Sequence, residues 1–394
     1  MRLIVHDFAG HPFQVDLSRA LARRGHEVLH LYCASLTTTP QSVGARPEDP
    51  PAMRVEGIDL PGFSKTNLLR RFLAERRYGA RLAARIAAFS PDVVLSANTP
   101  LDAQAAALRA THADGARFVF WLQDLIGEAT YRLLAPHLPV AGALVGHHYR
   151  RLEARLLRRS DAVVAITEDF RPVLARMRVA PKRVHVVENW APLRDVPLQP
   201  HRNAWSEAHG LAGKDVLLYA GTLGMKHDPG LLVALAEAFR DREDVRVVVA
   251  SQGRGADYVR DQATARGLSN LRVVGFQPFE DVPSMLGAAR VLVCILEPDA
   301  AVFSVPSKVL SYLCAGRPVL LAVPPGNLAA RIVAREGAGL VTPPGDGDAL
   351  VEAARALLDD PVQQQAMGAA ARRYAEAAFD IEAITDRFEA ILRS

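Results

Sequence analysis

Cysteine, lysine and long apolar runs are all scarce in this chain of 394 residues. The three cysteines, Cys33, Cys294 and Cys314, lie far apart, each in an apolar context. They offer neither a disulfide framework nor zinc-ligand spacing, which points to a reducing compartment. No uninterrupted apolar run reaches the ~18 residues of a membrane-crossing helix. The opening strand Leu3-Ile4-Val5 is cut short by His6 and Asp7, too early for a secretory leader. A cytoplasmic protein is expected. No His/Asp/Glu cluster has metal-ligand spacing, so no metal or other cofactor is expected. The first strand–turn–helix carries one glycine rather than G-x-G-x-x-G, which argues against a dinucleotide oxidoreductase.

Only five lysines occur, Lys65, Lys182, Lys214, Lys226 and Lys308, and arginine supplies all other positive charge. The net charge of +4 hides a division. Residues 1–190 hold 26 basic and 18 acidic side chains, and the remainder 21 and 25. A basic first half suggests a surface partner. Its arginines concentrate in two segments. Arg70, Arg71, Arg76, Arg77, Arg81 and Arg85 fall between Leu68 and Arg85; Arg150, Arg151, Arg155, Arg158 and Arg159 lie in Tyr149 to Arg159. Basic helices with apolar faces suit an anionic membrane surface. The ordinary alternative is a solvated outer face. Nucleic acid is disfavoured, because no aromatic stacking platform accompanies the charge.

Length alone predicts two domains. Strand and helix alternate from Leu3 to Val187, then a Pro-rich stretch from Pro192 to about Gly213 reads as a linker. The rhythm restarts at Val216 and runs to Leu340-Val341. Such alternation means parallel sheets covered on both faces. The expected fold class is α/β, two doubly wound parallel-sheet domains facing each other. Expected boundaries are 1–195 and 196–375.

In open parallel sheets ligands sit at the carboxyl ends of strands. In the second half the segments just after strands are Gly221 to Lys226, Ser251 to Gly255, Gly275 to Pro278, and 297–308. Glycines there let backbone N–H groups approach a phosphate, and lysine is a compact charge suited to a diphosphate. The last of these segments opens Phe303 to Val319, where Ser304, Ser307 and Lys308 stand beside a helix start and Gly316 ends the helix. Pro306 suits the first helical turn. In the first half Gly10-His11 follows the first strand and Gln123-Asp124 ends another. Asp124 suits either an acceptor hydroxyl or the cap of the next helix.

Pro306-Ser307-Lys308 followed by Tyr312-Leu313-Cys314-Ala315-Gly316-Arg317-Pro318-Val319 resembles the signature of retaining family 4 glycosyltransferases of the O-antigen and colanic-acid type, which have the GT-B fold. The resemblance runs through nearly the whole chain. It implies a retaining transfer of a sugar from a UDP- or GDP-sugar to a lipid-linked or glycan acceptor in surface polysaccharide biosynthesis, without a metal, at the inner membrane face. It assigns catalysis to Lys226, Lys308, Asp124 and His11. It assigns donor binding to Gly10, Thr222, Gly253, Phe276, Gln277, Ser304, Ser307 and Ser311, with Gly275 to Gln277 reading the nucleobase. It also carries the terminal helix, about 376–394, back to the first domain. Two departures stand out. Thr222 occupies the place of a frequent arginine, and the family's glutamate pair is absent, with Ser311 at the second position and Val305 eight residues after Glu297. Two alternatives remain open: a sugar-nucleotide epimerase on the same scaffold, and a catalytically silent sugar-nucleotide-binding partner.

Overall fold

The computed structural model describes residues 1–35, 43–62, 68–97, 99–136, 138, 140–224, 227–298 and 305–394, with backbone alone at 68 and 69. It divides into two compact units, Met1–Asn189 with Ile381–Ser394, and Trp190–Asp380. The boundaries expected from sequence were 195/196 and about 376.

The first unit is a seven-stranded sheet of β1 Arg2–Asp7, β2 Glu27–Cys33, β3 Met53–Ile58, β4 Val93–Ala97, β5 Arg117–Leu122, β6 Ala162–Ala165 and β7 Val184–Val186. The order is β3-β2-β1-β4-β5-β6-β7, and every pair is parallel. Parallel strands are covered on both faces, so they read as continuous apolar runs. Phe118-Val119-Phe120-Trp121-Leu122 is buried throughout for that reason. The terminal helix Ile381–Arg393 packs against the helix Pro12–Arg23. Phe388 sits 4.8 Å from Trp121, and Arg24 pairs with Glu382 at 2.8 Å.

The second unit has six parallel strands, β8 Asp215–Ala220, β9 Val245–Ala250, β10 Leu271–Val274, β11 Val291–Ile295, β12 Val319–Ala322 and β13 Gly339–Thr342. Their order, β10-β9-β8-β11-β12-β13, repeats the winding of the first unit. The strand order reverses between β1 and β4 in one unit and between β8 and β11 in the other. At such a switch point the connections leave in opposite directions and a crevice opens.

Three local expectations need correction. The helix carrying the arginines of Tyr149 to Arg159 begins earlier, at Ala141, and ends at Arg159, and a further helix, Ile126–Leu134, precedes it. The Pro-rich stretch contains the short helix Ala204–Ala208, closed by reciprocal hydrogen bonds between Asn203 and Ser206. The helix after Pro306 starts only at Lys308 and runs to Cys314, so Pro306 lies before its first turn.

Candidate functional site

The β8–β11 ladder joins only Val291 to Leu217 and Leu292 to Leu218. Beyond that the strands part. Backbone groups left open there need partners, because an unpaired buried amide or carbonyl is costly. Tyr312, on the helix Lys308–Cys314, supplies them. Its hydroxyl accepts from the Ala220 N–H at 2.8 Å and donates to the Ala220 carbonyl at 3.1 Å, with the Val293 carbonyl at 3.4 Å. Val309, Leu310 and Leu313 bury the same helix in the core.

One turn earlier on that helix is Lys308. Its ammonium lies 3.9 Å from the Tyr219 ring centroid, donates to the Tyr219 hydroxyl and reaches the Thr222 carbonyl at 3.5 Å. Tyr219 donates to the same carbonyl at 2.8 Å. Gly221, at φ +129°, carries the chain past this lysine, and a Cβ there would meet Lys308 Cε at 3.3 Å. No carboxylate pairs with Lys308 among the described residues. Burial pushes its ammonium down to about 8. An incompletely solvated cation with no carboxylate partner among the described residues, at the mouth of a switch-point crevice, can receive an anion.

The remaining second-unit candidates divide. Thr222 contributes its carbonyl; its side chain is exposed at the crevice. Ser307 is exposed immediately before Lys308 and makes no capping bond, and Ser311 is half-buried on the same helix. Gly253 takes φ +88° to start the helix Arg254–Ala265 at the end of β9, a turn only glycine makes without strain. Phe276 is exposed after β10. Gln277 is engaged structurally, accepting from Trp205 Nε1 at 2.8 Å and donating to the Gly275 carbonyl at 2.9 Å. Lys226 and Ser304 lie outside the described residues.

In the first unit, Asp7 ends β1 fully buried. It accepts from the Ala9 N–H at 3.1 Å, from the His11 N–H, and from His11 Nδ1 at 2.9 Å. Gly10, at φ +73°, folds the turn that brings His11 back onto Asp7. Burial disfavours charge on both groups, but each overcomes it through the other. His11 holds the Asp7 carboxyl below its ordinary value, while the charge and hydrogen bond of Asp7, with the charge of Asp124, raise the imidazole. The structure therefore holds His11 on Asp7, a residue the sequence did not single out, and puts it within electrostatic reach of Asp124. Gln123 exchanges hydrogen bonds with Asn189 at 2.6 and 3.1 Å.

Asp124 does not cap the next helix. Leu125 is the capping position of Ile126–Leu134, and it makes no side-chain capping bond. Glu153, on Ala141–Arg159, takes an N–H of that helix start instead. It is fully buried and accepts from the Gly127 N–H at 3.2 Å, while its Oε1 has no partner. Burial pushes it up to about 8 against the Gly127 and Ile126 N–H groups, and Glu128 and Asp124 add to the rise. Its signal was available: Glu153, Leu156 and Leu157 share one helix face, and an acid among leucines at that spacing faces inward. Among the described residues no group of three His, Cys, Asp or Glu side chains is placed to hold a metal ion.

Residues 11–190 match the glycosyl transferase 4-like domain, and residues 201–374 match the glycosyl transferases group 1. Both halves of the chain are thus glycosyltransferase domains. A GDP-mannose-dependent monoacylated alpha-(1-6)-phosphatidylinositol monomannoside mannosyltransferase of Corynebacterium glutamicum is 29% identical over 43% of this chain and 44% of its own length. A putative colanic acid biosynthesis glycosyl transferase, WcaI, of Escherichia coli is 25% identical over 70% of this chain and 67% of its own. The chain thus spans under half of one curated relative and about two thirds of the other. Anabaena Alr3699/HepE, solved in complex with UDP and glucose, shares the fold at a TM-score of 0.73 and 16% identity, over 100% of this chain and 99% of that one. Both switch-point crevices of the chain carry ionisable groups.

Proposed function

We propose that this glycosyltransferase moves a hexosyl group, with retention, from a UDP- or GDP-sugar to a lipid-linked or glycan acceptor in surface polysaccharide or glycolipid assembly. The observation that carries the reading is Lys308, a half-buried cation with no carboxylate partner among the described residues, in the β8–β11 crevice. In the transfer the bond from C1 of the sugar to the diphosphate oxygen breaks, and a bond from C1 to the acceptor oxygen forms on the same face. The acceptor proton passes to the departing diphosphate. Charge grows on that diphosphate as the bond breaks, and a fixed ammonium stabilises it more than it stabilises the intact donor. Lys226, in the loop after β8, shares this task by resemblance to the family. Asp124 and His11 orient the acceptor hydroxyl from the first unit. A GDP-mannose-dependent relative and a fold neighbour solved with UDP both support a nucleotide-sugar donor, and they leave the base open.

The acceptor reading extends to a membrane surface on the cytoplasmic side. No helix among the described residues is long and apolar enough to cross a bilayer. Attachment would be peripheral. Exposed apolar side chains gather where Ile126–Leu134 gives way to Ala141–Arg159: Leu133, Leu138, Val140 at 76% and Leu144 at 67% exposure. This patch adjoins the second basic segment, on Ala141–Arg159, rather than the first, between Leu68 and Arg85. There Arg71 pairs with Glu75 at 2.7 Å and Arg85 with Glu56 at 2.9 Å, so part of its charge is already answered.

The test is incubation with a panel of UDP- and GDP-sugars and extracted lipid acceptors on anionic vesicles, reading free nucleotide. Release of UDP or GDP that needs acceptor and survives exhaustive chelation supports the reading. Donor binding without release in any combination would leave the silent partner in its place. Loss of vesicle binding at high salt and in Val140→Asp is the expected membrane behaviour; a protein indifferent to anionic vesicles removes that part alone.

A further inference from the structure

The second unit carries another cationic recess, at the opposite, amino-terminal edge of its sheet. It is a groove of about 670 Å³ whose lining includes His201, Arg290, Arg317, Arg372, Arg373 and Glu376. Four arginines thus face one carboxylate. Two of them are locally compensated: Arg290 pairs with Asp215 at 2.8 Å, and Arg372 with Glu376 at 2.7 Å. Arg317 is not. One of its terminal nitrogens donates to the carbonyls of Gln199 and Gly287, both at 2.7 Å, and its buried Nε has no partner. Arg373 is exposed and makes no ion pair among the described residues. Burial, together with Arg290, pushes the Arg317 guanidinium down to about 10. Burial, Arg317 and Arg290 together push His201 down to about 4, so its ring is neutral, and its buried Nδ1 has no partner either.

An orphaned guanidinium N–H and like charges crowded in one recess are both costly in the empty protein. A single oxyanion relieves both. We propose that this groove is a second anion site, built for a phosphate group, separate from the donor crevice. Guanidinium forks match phosphate oxygens, and a concave wall of one sign concentrates such a ligand. The site lies at the far end of the helix Lys308–Cys314: Arg372 donates to the Cys314 carbonyl at 2.7 Å, and Arg317 follows Gly316. It therefore sits against the same short helix that carries Lys308.

Titration of the whole protein with inorganic phosphate, followed by calorimetry and by the His201 imidazole resonance, tests this. The expected result is saturable binding that shifts the His201 signal, persists in Lys308→Ala and weakens at least fivefold in Arg373→Gln. Arg373→Gln removes an exposed side chain, so it folds even if Arg317→Gln does not. Chloride at matched ionic strength should leave the signal unmoved. A second arm uses phosphatidic acid vesicles: response to dissolved phosphate identifies a free phosphate ester, and response to vesicles alone a lipid headgroup. No saturable response to either, an equal response to chloride, or unchanged affinity in Arg373→Gln overturns the proposal.

Discussion

The two units wind their sheets alike, yet their switch-point crevices treat charge in opposite ways. At β1–β4, Asp7 and His11 compensate each other, and Asp124 adds a second carboxylate. At β8–β11, Lys308 finds a phenol and a carbonyl and, among the described residues, no carboxylate. The same topology thus yields one self-satisfied polar cluster and one cation that no described carboxylate answers. A satisfied cluster is preorganised and suits the positioning of a neutral hydroxyl. An unsatisfied cation suits a ligand that brings its own negative charge. The difference supports the proposal that the anionic donor binds to the second unit.

The sharpest way to break this comparison is Lys308→Ala. A charge-assisted contact to phosphate contributes about 1.5–3 kcal/mol, so kcat/KM for the donor should fall roughly ten- to a hundredfold while the fold survives. Unchanged kinetics in a folded variant would remove Lys308 from the site. The pH dependence sharpens the same point. Burial holds the unliganded lysine near about 8, and a bound diphosphate raises that value. Donor affinity should therefore be full below pH 8 and decline as pH rises beyond it, by up to tenfold per unit until the liganded value is passed. In Lys308→Ala that decline disappears. A wild-type affinity flat from pH 7 to 9.5 contradicts the assignment.

Much of this contrast was legible in the sequence, and the reason is geometric. Strand–helix alternation carries its own periodicity, so β5 Arg117–Leu122, β9 Val245–Ala250 and β12 Val319–Ala322 stand where their apolar runs put them. Lys308 was legible because Tyr312, Leu313 and Gly316 fix it near the start of a buried helix. The partners of these groups were harder to see. Tyr219 reads as one more apolar strand residue, yet its hydroxyl meets Lys308. Tyr312 reads as core, yet its hydroxyl closes the gap between two strands. Asp7 reads as a strand end. Contacts across a sheet edge join residues 89 apart in sequence, as Lys308 and Tyr219 are, and no local pattern encodes them.

The first crevice can be broken at Asp7. Asp7→Asn keeps the shape but removes the charge that raises His11. The His11 titration midpoint should fall, and stability should drop by about 1–3 kcal/mol, because three donors lose an ionised acceptor. The sign is set by both partners. A raised imidazole stabilises the fold below its unfolded value of about 6.5, and a depressed carboxyl does so above about 4. The gap between wild type and variant should be widest between those values and shrink as pH rises through the folded His11 midpoint. Chemical denaturation at pH 5.5 and 8.5 checks it, and equal losses at both values would deny the coupling.

The smallest expected effect on catalysis belongs to Glu153, which holds the Gly127 N–H at the start of the helix after Asp124 rather than touching substrate. Unfolded, Glu153 loses its proton near pH 4.5; folded, it keeps it until about 8. Between those values the unfolded chain binds fewer protons than the folded one, so this group makes stability fall as pH rises. Glu153→Gln keeps the acceptor for the Gly127 N–H and cannot ionise. Relative to wild type, its melting temperature should therefore climb from pH 5 to 8, while kcat changes less than about threefold, since each kcal/mol of misplacement would cost about fivefold. Parallel melting curves would mean that Glu153 does not titrate in this window. A large loss of kcat with unaltered stability would move it from holding that helix start into the reaction itself, and the first crevice would then be no better satisfied than the second.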